Sequence, residues 1–84
     1  MAKKNYAIEQ RARYHKERVD NQKVSENKRY YSRNWLDGYT DSRAENNYRA
    51  VCSEISAKKG HMSKEHSIML NGYKNGLKAK LSKR

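Results

Sequence analysis

The chain of 84 residues carries 20 Lys and Arg against 9 Asp and Glu, a formal net charge of +11, and its mean hydropathy is −1.38. The length leaves room for one domain at most, no run reaches the ~18 apolar residues of a membrane span, and no apolar stretch typical of a secretory signal follows the first residues. The single cysteine cannot form an internal disulfide and fits a reducing compartment, so we expect a cytoplasmic protein.

The absence of Pro and the lack of period-two alternation predict an all-α fold. We expect a small helical domain of two to three short helices over residues 35–84. Residues 1–34 are expected to form a basic N-terminal arm that is partly extended or helical, and helical mainly on binding. The net charge is +6 over residues 1–34, −2 over residues 35–56 and +7 over residues 57–84, so two basic ends flank a nearly balanced middle. These ends either bind phosphate groups or only increase the solubility of the chain.

The apolar stripe of the N-terminal arm is thin. Ile8, Ala12 and Val19 are in phase for a helix, but His15 interrupts them. Such a segment is marginal as an isolated helix. The following residues, 28–42, are expected to hold another helical piece, and one face of it carries Lys28, Tyr31, Trp35 and Tyr39.

The clearest helix is predicted over residues 43–58. Its apolar face carries Ala44, Tyr48, Val51 and Ile55. Ser42 and Glu45 have capping-box spacing, and Gly60 is a plausible stop.

A last helix is predicted over residues 64–82, with Ser63 as its N-cap. Its apolar face carries Met69, Tyr73, Leu77 and Leu81, with Leu70 beside them.

An eight-residue element occurs twice, at residues 35–42 and 69–76, with Leu, Gly and Tyr identical in both copies. Each copy places small residues four apart, namely Gly38 and Ser42 in the first and Gly72 and Gly76 in the second. Because Gly costs about 1 kcal/mol inside a helix, such pairs suggest a close approach of another backbone. That backbone is either a second helix or a sugar–phosphate chain.

These Leu-x-Gly-aromatic elements, the basic flanks and Cys52 between the two copies resemble ribosome modulation factor, over about residues 33–80. Gly38-Tyr39 would belong to the family's first helix, and residues 69–73 to its second. This chain departs from the family in its long N-terminal extension, in Ser53 after the cysteine where the family has Pro, and in carrying its Trp in the first copy. The resemblance implies binding to the small ribosomal subunit, rRNA contact near the mRNA-exit platform and silencing of translation, with ribosome pairing as a further possibility.

Interleaved aromatic and basic residues predict RNA binding independently, because cations neutralise phosphates and rings stack on unpaired bases. The densest run is residues 28–35. The predicted RNA-binding residues are Lys28, Arg29, Tyr30, Tyr31, Arg33, Trp35, Tyr39, Lys58, Lys59, Tyr73, Lys74 and Lys78. Core packing is the alternative role for Trp35, Tyr39 and Tyr73.

Enzymatic and metal sites are not expected. His15, His61, His66 and Cys52 lack the paired spacing of a zinc site, and no nucleophile elbow, phosphate loop or acid pair is recognisable. We expect no cofactor, no small-molecule substrate and no membrane partner, although residues 64–84 could form a basic amphipathic helix.

The sequence therefore predicts a small RNA-binding protein that docks on the ribosome and modulates or silences translation. One alternative is a basic interaction protein of the phage-inhibitor type that binds an acidic protein machine. Another is an architectural protein that binds DNA without sequence preference.

Overall fold

Residues 2–83, with the side chains of residues 6–83, are described by a computed structural model. They form four α-helices: α1 (Ala2–Asp20), α2 (Glu26–Tyr39), α3 (Ala44–Ala57) and α4 (Lys64–Ser82). The all-α class is confirmed, but the expected count of two to three helices is wrong. The N-terminal arm holds a full helix that packs on α2, and the expected boundary between residues 34 and 35 falls inside α2.

Two central helices, α2 and α4, run side by side in the same direction. Gly72 lies against the backbone of Tyr31, and one turn later Gly76 lies against that of Trp35. α1 packs antiparallel on α2, and α3 packs antiparallel on α4, so the outer helices flank the central pair. The result is a slab of 39 × 33 × 18 Å.

The central helices approach closely because glycines face the opposite backbone. A Cβ on Gly72 would lie 2.6 Å from the carbonyl oxygen of Tyr31, and one on Gly38 would lie 2.8 Å from the amide nitrogen of Leu77. The backbone that lies close to the glycines of each central helix is therefore that of the other central helix. Ser42, predicted as a fourth such residue, is exposed in the connection after α2 and lies outside any helix.

The slab has two small hydrophobic cores. One lies between α3 and α4, where Ala44, Val51, Leu70 and Leu77 are buried. The predicted apolar faces of both helices pack there, together with Tyr48, Ile55, Met69, Tyr73 and Leu81, so those two stripes are confirmed. The second core joins α1, α2 and α4 through Ile8, Trp35 and Ala79.

The start of α4 and the stop after α3 agree with the prediction, but the start of α3 does not. The Ser63 hydroxyl accepts a hydrogen bond from the His66 amide at 3.1 Å, and Gly60 adopts a φ of 82° just after α3. The capping box at Ser42 is wrong: Arg43 occupies the N-cap position with no side-chain cap. Instead, Asp41 Oδ1 accepts from the Arg43 amide at 2.8 Å, which turns the chain into the helix one residue later.

These caps give a matched stability test. Ser63→Ala removes an N-cap acceptor and is expected to lower the free energy of unfolding by about 1 kcal/mol. Ser42→Ala is the control, expected to change it by less than about 0.5 kcal/mol because no cap bond is lost. Urea unfolding followed by circular dichroism measures both; equal losses in the two variants would contradict the cap assignment.

Candidate nucleic-acid interface

Trp35 lies in the core and not on the surface. Its side chain is 2% exposed and stacks on His15, with ring centroids 4.4 Å apart, and on Tyr39, at 5.2 Å. The indole therefore has no ring face to offer an RNA base. The other RNA-binding residues predicted on α2 point in different directions from Trp35, because successive residues of a helix point about 100° apart.

Three of the predicted RNA-binding residues, Arg29, Tyr30 and Arg33, come together in a hollow of about 410 Å³. The same hollow is lined by Glu26 of α2 and Glu65 of α4. Two carboxylates beside two guanidinium groups leave little surplus charge there. A phosphate would have to compete with those carboxylates.

Tyr73 is held by other side chains. Its hydroxyl donates a hydrogen bond to Asp41 Oδ2, and the Asn47 amide donates to the same carboxylate oxygen at 2.7 Å. Burial, together with the bond to Asp41, raises the pKa of Tyr73 to about 12. The bonds from Tyr73, the Arg43 amide and Asn47 lower the pKa of Asp41. Tyr73 thus fastens α4 to the connection between α2 and α3.

The remaining predicted residues are spread over the slab. Lys28, Lys58, Lys59 and Lys78 are exposed, and Lys74 is half-buried. The Lys58 ammonium lies 3.0 Å from Glu54 Oε2. Tyr39 is half-buried, and its hydroxyl accepts from Lys83 at 2.9 Å. The structure does not gather the twelve predicted residues into one patch.

A second cavity, of about 320 Å³, lies where α1, α2 and α4 meet. Three of the predicted residues line it, Tyr31, Trp35 and Lys78. Four polar residues that line it were missed by the sequence analysis: Arg11, His15, Asn75 and Ser82. A sequence signal did exist. Ile8, Arg11 and His15 follow helical spacing on α1, as do Asn75, Lys78 and Ser82 on α4, but their alignment depends on how the helices pack.

His15 is the buried polar group at this cavity. The ring is 6% exposed, and its Nδ1 is 2.9 Å from the hydroxyl of Ser32, which is fully buried. Burial, reinforced by the charges of Arg18 and Arg11, lowers the pKa of His15 to about 4. The ring is therefore neutral at physiological pH.

Two exposed aromatic residues on α1 were also missed. Tyr6 is 64% exposed and Tyr14 is 53% exposed. The Arg18 guanidinium donates to the Tyr14 hydroxyl at 2.7 Å and lies 5.3 Å from the ring centroid. An arginine beside an exposed ring is a common platform for stacking a base. The arm thus carries exposed rings, whereas Trp35 is buried.

Across the part of the chain that the structure describes, no group of three or more His, Cys, Asp or Glu side chains could hold a metal ion. No helix between residues 2 and 83 has the length and apolar character needed to cross a membrane. No known family model, curated protein sequence or solved structure matches the chain.

Proposed function

We propose that this chain is a small RNA-binding protein that docks on the ribosome and modulates translation. The observation that carries the proposal is electrostatic. With 20 Lys and Arg against 9 Asp and Glu, the cationic side chains outnumber the acidic ones by eleven. A polyanion is the partner that such a surface favours.

The shape of the molecule supports an RNA partner in particular. The slab offers broad faces of 39 × 33 Å, and Tyr6 and Tyr14 are exposed on α1 among Arg11, Arg13 and Arg18. Exposed rings set among cations suit unpaired bases, which stack while the cations neutralise the phosphates. Duplex DNA has its bases paired and stacked within the helix, so exposed rings favour a single-stranded RNA partner over duplex DNA.

The ribosome is proposed as the source of that RNA because of the resemblance to ribosome modulation factor in the repeated Leu-x-Gly-Tyr elements. Both copies contribute a glycine to the crossing of α2 and α4, Gly38 from one side and Gly72 from the other. The element therefore accounts for how the central helices pack. The binding surface would be built on that crossing.

Salt dependence tests the RNA proposal directly. We expect the affinity for a fluorescein-labelled single-stranded RNA to fall with a log–log slope steeper than about −4, from six or more phosphate contacts at ~0.7 each. That slope corresponds to a loss of roughly 250-fold between 50 and 200 mM salt. Fluorescence anisotropy at four salt concentrations measures it. A flat response would refute RNA binding through phosphates and favour an acidic protein partner.

A further inference from the structure

The cavity between α1 and α4 has an apolar floor and a polar rim. Ile8, Trp35 and Ala79 line it, and each is at most 5% exposed. Polar side chains from all three surrounding helices complete it: Arg11, His15, Tyr31, Asn75, Lys78 and Ser82. Its volume of about 320 Å³ falls at the lower end of ligand pockets, which typically combine an apolar lining with a few convergent polar groups.

The charge of this cavity is uncompensated. Arg11 and Lys78 enter it from opposite helices, and its lining among the described residues includes no carboxylate. The larger hollow at Arg29 and Arg33 is different, because Glu26 and Glu65 line it as well. Of these two sites, the α1–α4 cavity is the one that favours an anion.

The hydrogen-bonding groups at the rim suit a nucleotide better than a bare anion. The Asn75 amide donates to the Tyr31 hydroxyl at 2.7 Å, which leaves the hydroxyl proton free to donate elsewhere. The Asn75 carbonyl oxygen remains an acceptor. A side-chain amide offers both a donor and an acceptor, as the edge of an unpaired base does.

We infer that the α1–α4 cavity receives one nucleotide of a single-stranded RNA, with its phosphate between Arg11 and Lys78 and its base edge at Asn75. The inference rests on the proposed function and assigns that function a site. Neutral His15 and Trp35 form the wall behind the nucleotide, and their stacking keeps that wall rigid.

Paired charge removals test the site. The double variant Arg11→Gln/Lys78→Gln removes both cations of the cavity, and Lys16→Gln/Lys64→Gln removes two exposed cations elsewhere on the same helices. Both variants have the same net charge, so long-range attraction falls equally. With a labelled uridine decamer, we expect the cavity variant to lose about tenfold or more in affinity, or about 1.4 kcal/mol. We expect the control to lose less than about threefold.

Asn75→Asp provides a second variant that keeps the shape of the side chain. The Tyr31 hydroxyl can donate to the new carboxylate, so the contact between α2 and α4 is retained, while the carboxylate repels a phosphate. Asn46→Asp, exposed on α3, is the matched control. We expect Asn75→Asp to lower the affinity for the decamer about tenfold and the control to change it little. Circular dichroism melting of all four variants shows whether each is folded.

The outcomes separate this inference from the proposed function. If the wild type binds the decamer and the cavity variants lose no more than their controls, RNA binding stands and the cavity assignment is overturned. If the wild type binds no RNA, both fail. Competition with uridine monophosphate at millimolar concentration shows whether the ligand is a strand or a free nucleotide. If uridine monophosphate displaces the labelled decamer as strongly as unlabelled decamer does, the ligand is a free nucleotide and the assignment to a strand is overturned. Weak competition would support the strand.

Discussion

Gly76→Ala is expected to lower the free energy of unfolding by about 2 kcal/mol or more. The added Cβ would lie 2.7 Å from the carbonyl carbon of Trp35 and 3.0 Å from the amide nitrogen of Tyr39. Backbone atoms cannot turn away as a flexible side chain can, so the central helices would have to move apart. Overpacking of this kind costs about 1–3 kcal/mol.

The sign of the change in the free energy of unfolding makes this prediction informative. In a helix interior that faces open space, Gly→Ala stabilises by about 1 kcal/mol. Gly60→Ala is the control with nothing within 4 Å of the new Cβ, and only the φ of 82° opposes it, a cost of about 1–2 kcal/mol. Urea unfolding of the three proteins measures the effects. A Gly76→Ala variant as stable as the wild type would mean that α2 and α4 do not meet at this point.

Acid is expected to destabilise the fold through His15. The pKa of His15 is lowered from 6.5 to about 4, by burial first and then by Arg18 and Arg11. A depressed folded-state pKa contributes stability that is present above pH 6.5 and is lost as the pH falls through 4, because the unfolded chain binds the proton more readily. The shift corresponds to about 3 kcal/mol.

His15→Gln isolates this contribution from the carboxylates that titrate in the same range. A glutamine amide can still reach the Ser32 hydroxyl but does not titrate. The cations that face the ring are Arg11 and Arg18 on α1 and Lys78 across the cavity, and they remain in the variant. We expect the wild type to lose about 3 kcal/mol more than His15→Gln between pH 7 and pH 4. Parallel curves for the two proteins in urea unfolding would contradict a buried neutral histidine.

The C-terminal half of the fold could be predicted because its helices have apolar stripes at regular helical spacing. Val51 and Leu77 sit in the core that those stripes predict, and Ser63 caps α4. Side-chain pattern and cap chemistry are local, so they are readable from one sequence.

The N-terminal half could not be predicted in the same way, because its core contains polar groups. His15 reads as an interruption of the α1 stripe, and serine, the residue type at position 32, is mostly exposed in folded proteins. In the structure, His15 Nδ1 and the Ser32 hydroxyl are hydrogen-bonded at 2.9 Å, and both residues are buried. The pairing joins residues on different helices, and no local pattern indicates it.

The candidate site illustrates the same limit. Residues 28–35 form one cluster in the sequence, but the helix distributes them between the core at Trp35, the hollow at Arg33 and the α1–α4 cavity at Tyr31. Conversely, Arg11 and Lys78 lie far apart in the sequence and line one cavity. The amino-acid composition could indicate that an RNA-binding surface exists, whereas the location of that surface depends on how the helices pack.

Sedimentation tests the central proposal, ribosome docking, most directly. Tagged protein in a lysate of its host would be run through sucrose gradients at low and high salt, with and without nuclease. We predict that it sediments with the small subunit or with paired ribosomes at low salt, and that high salt or nuclease releases it. Protein that stays at the top of the gradient, or moves with a nuclease-resistant protein complex, would contradict the proposal.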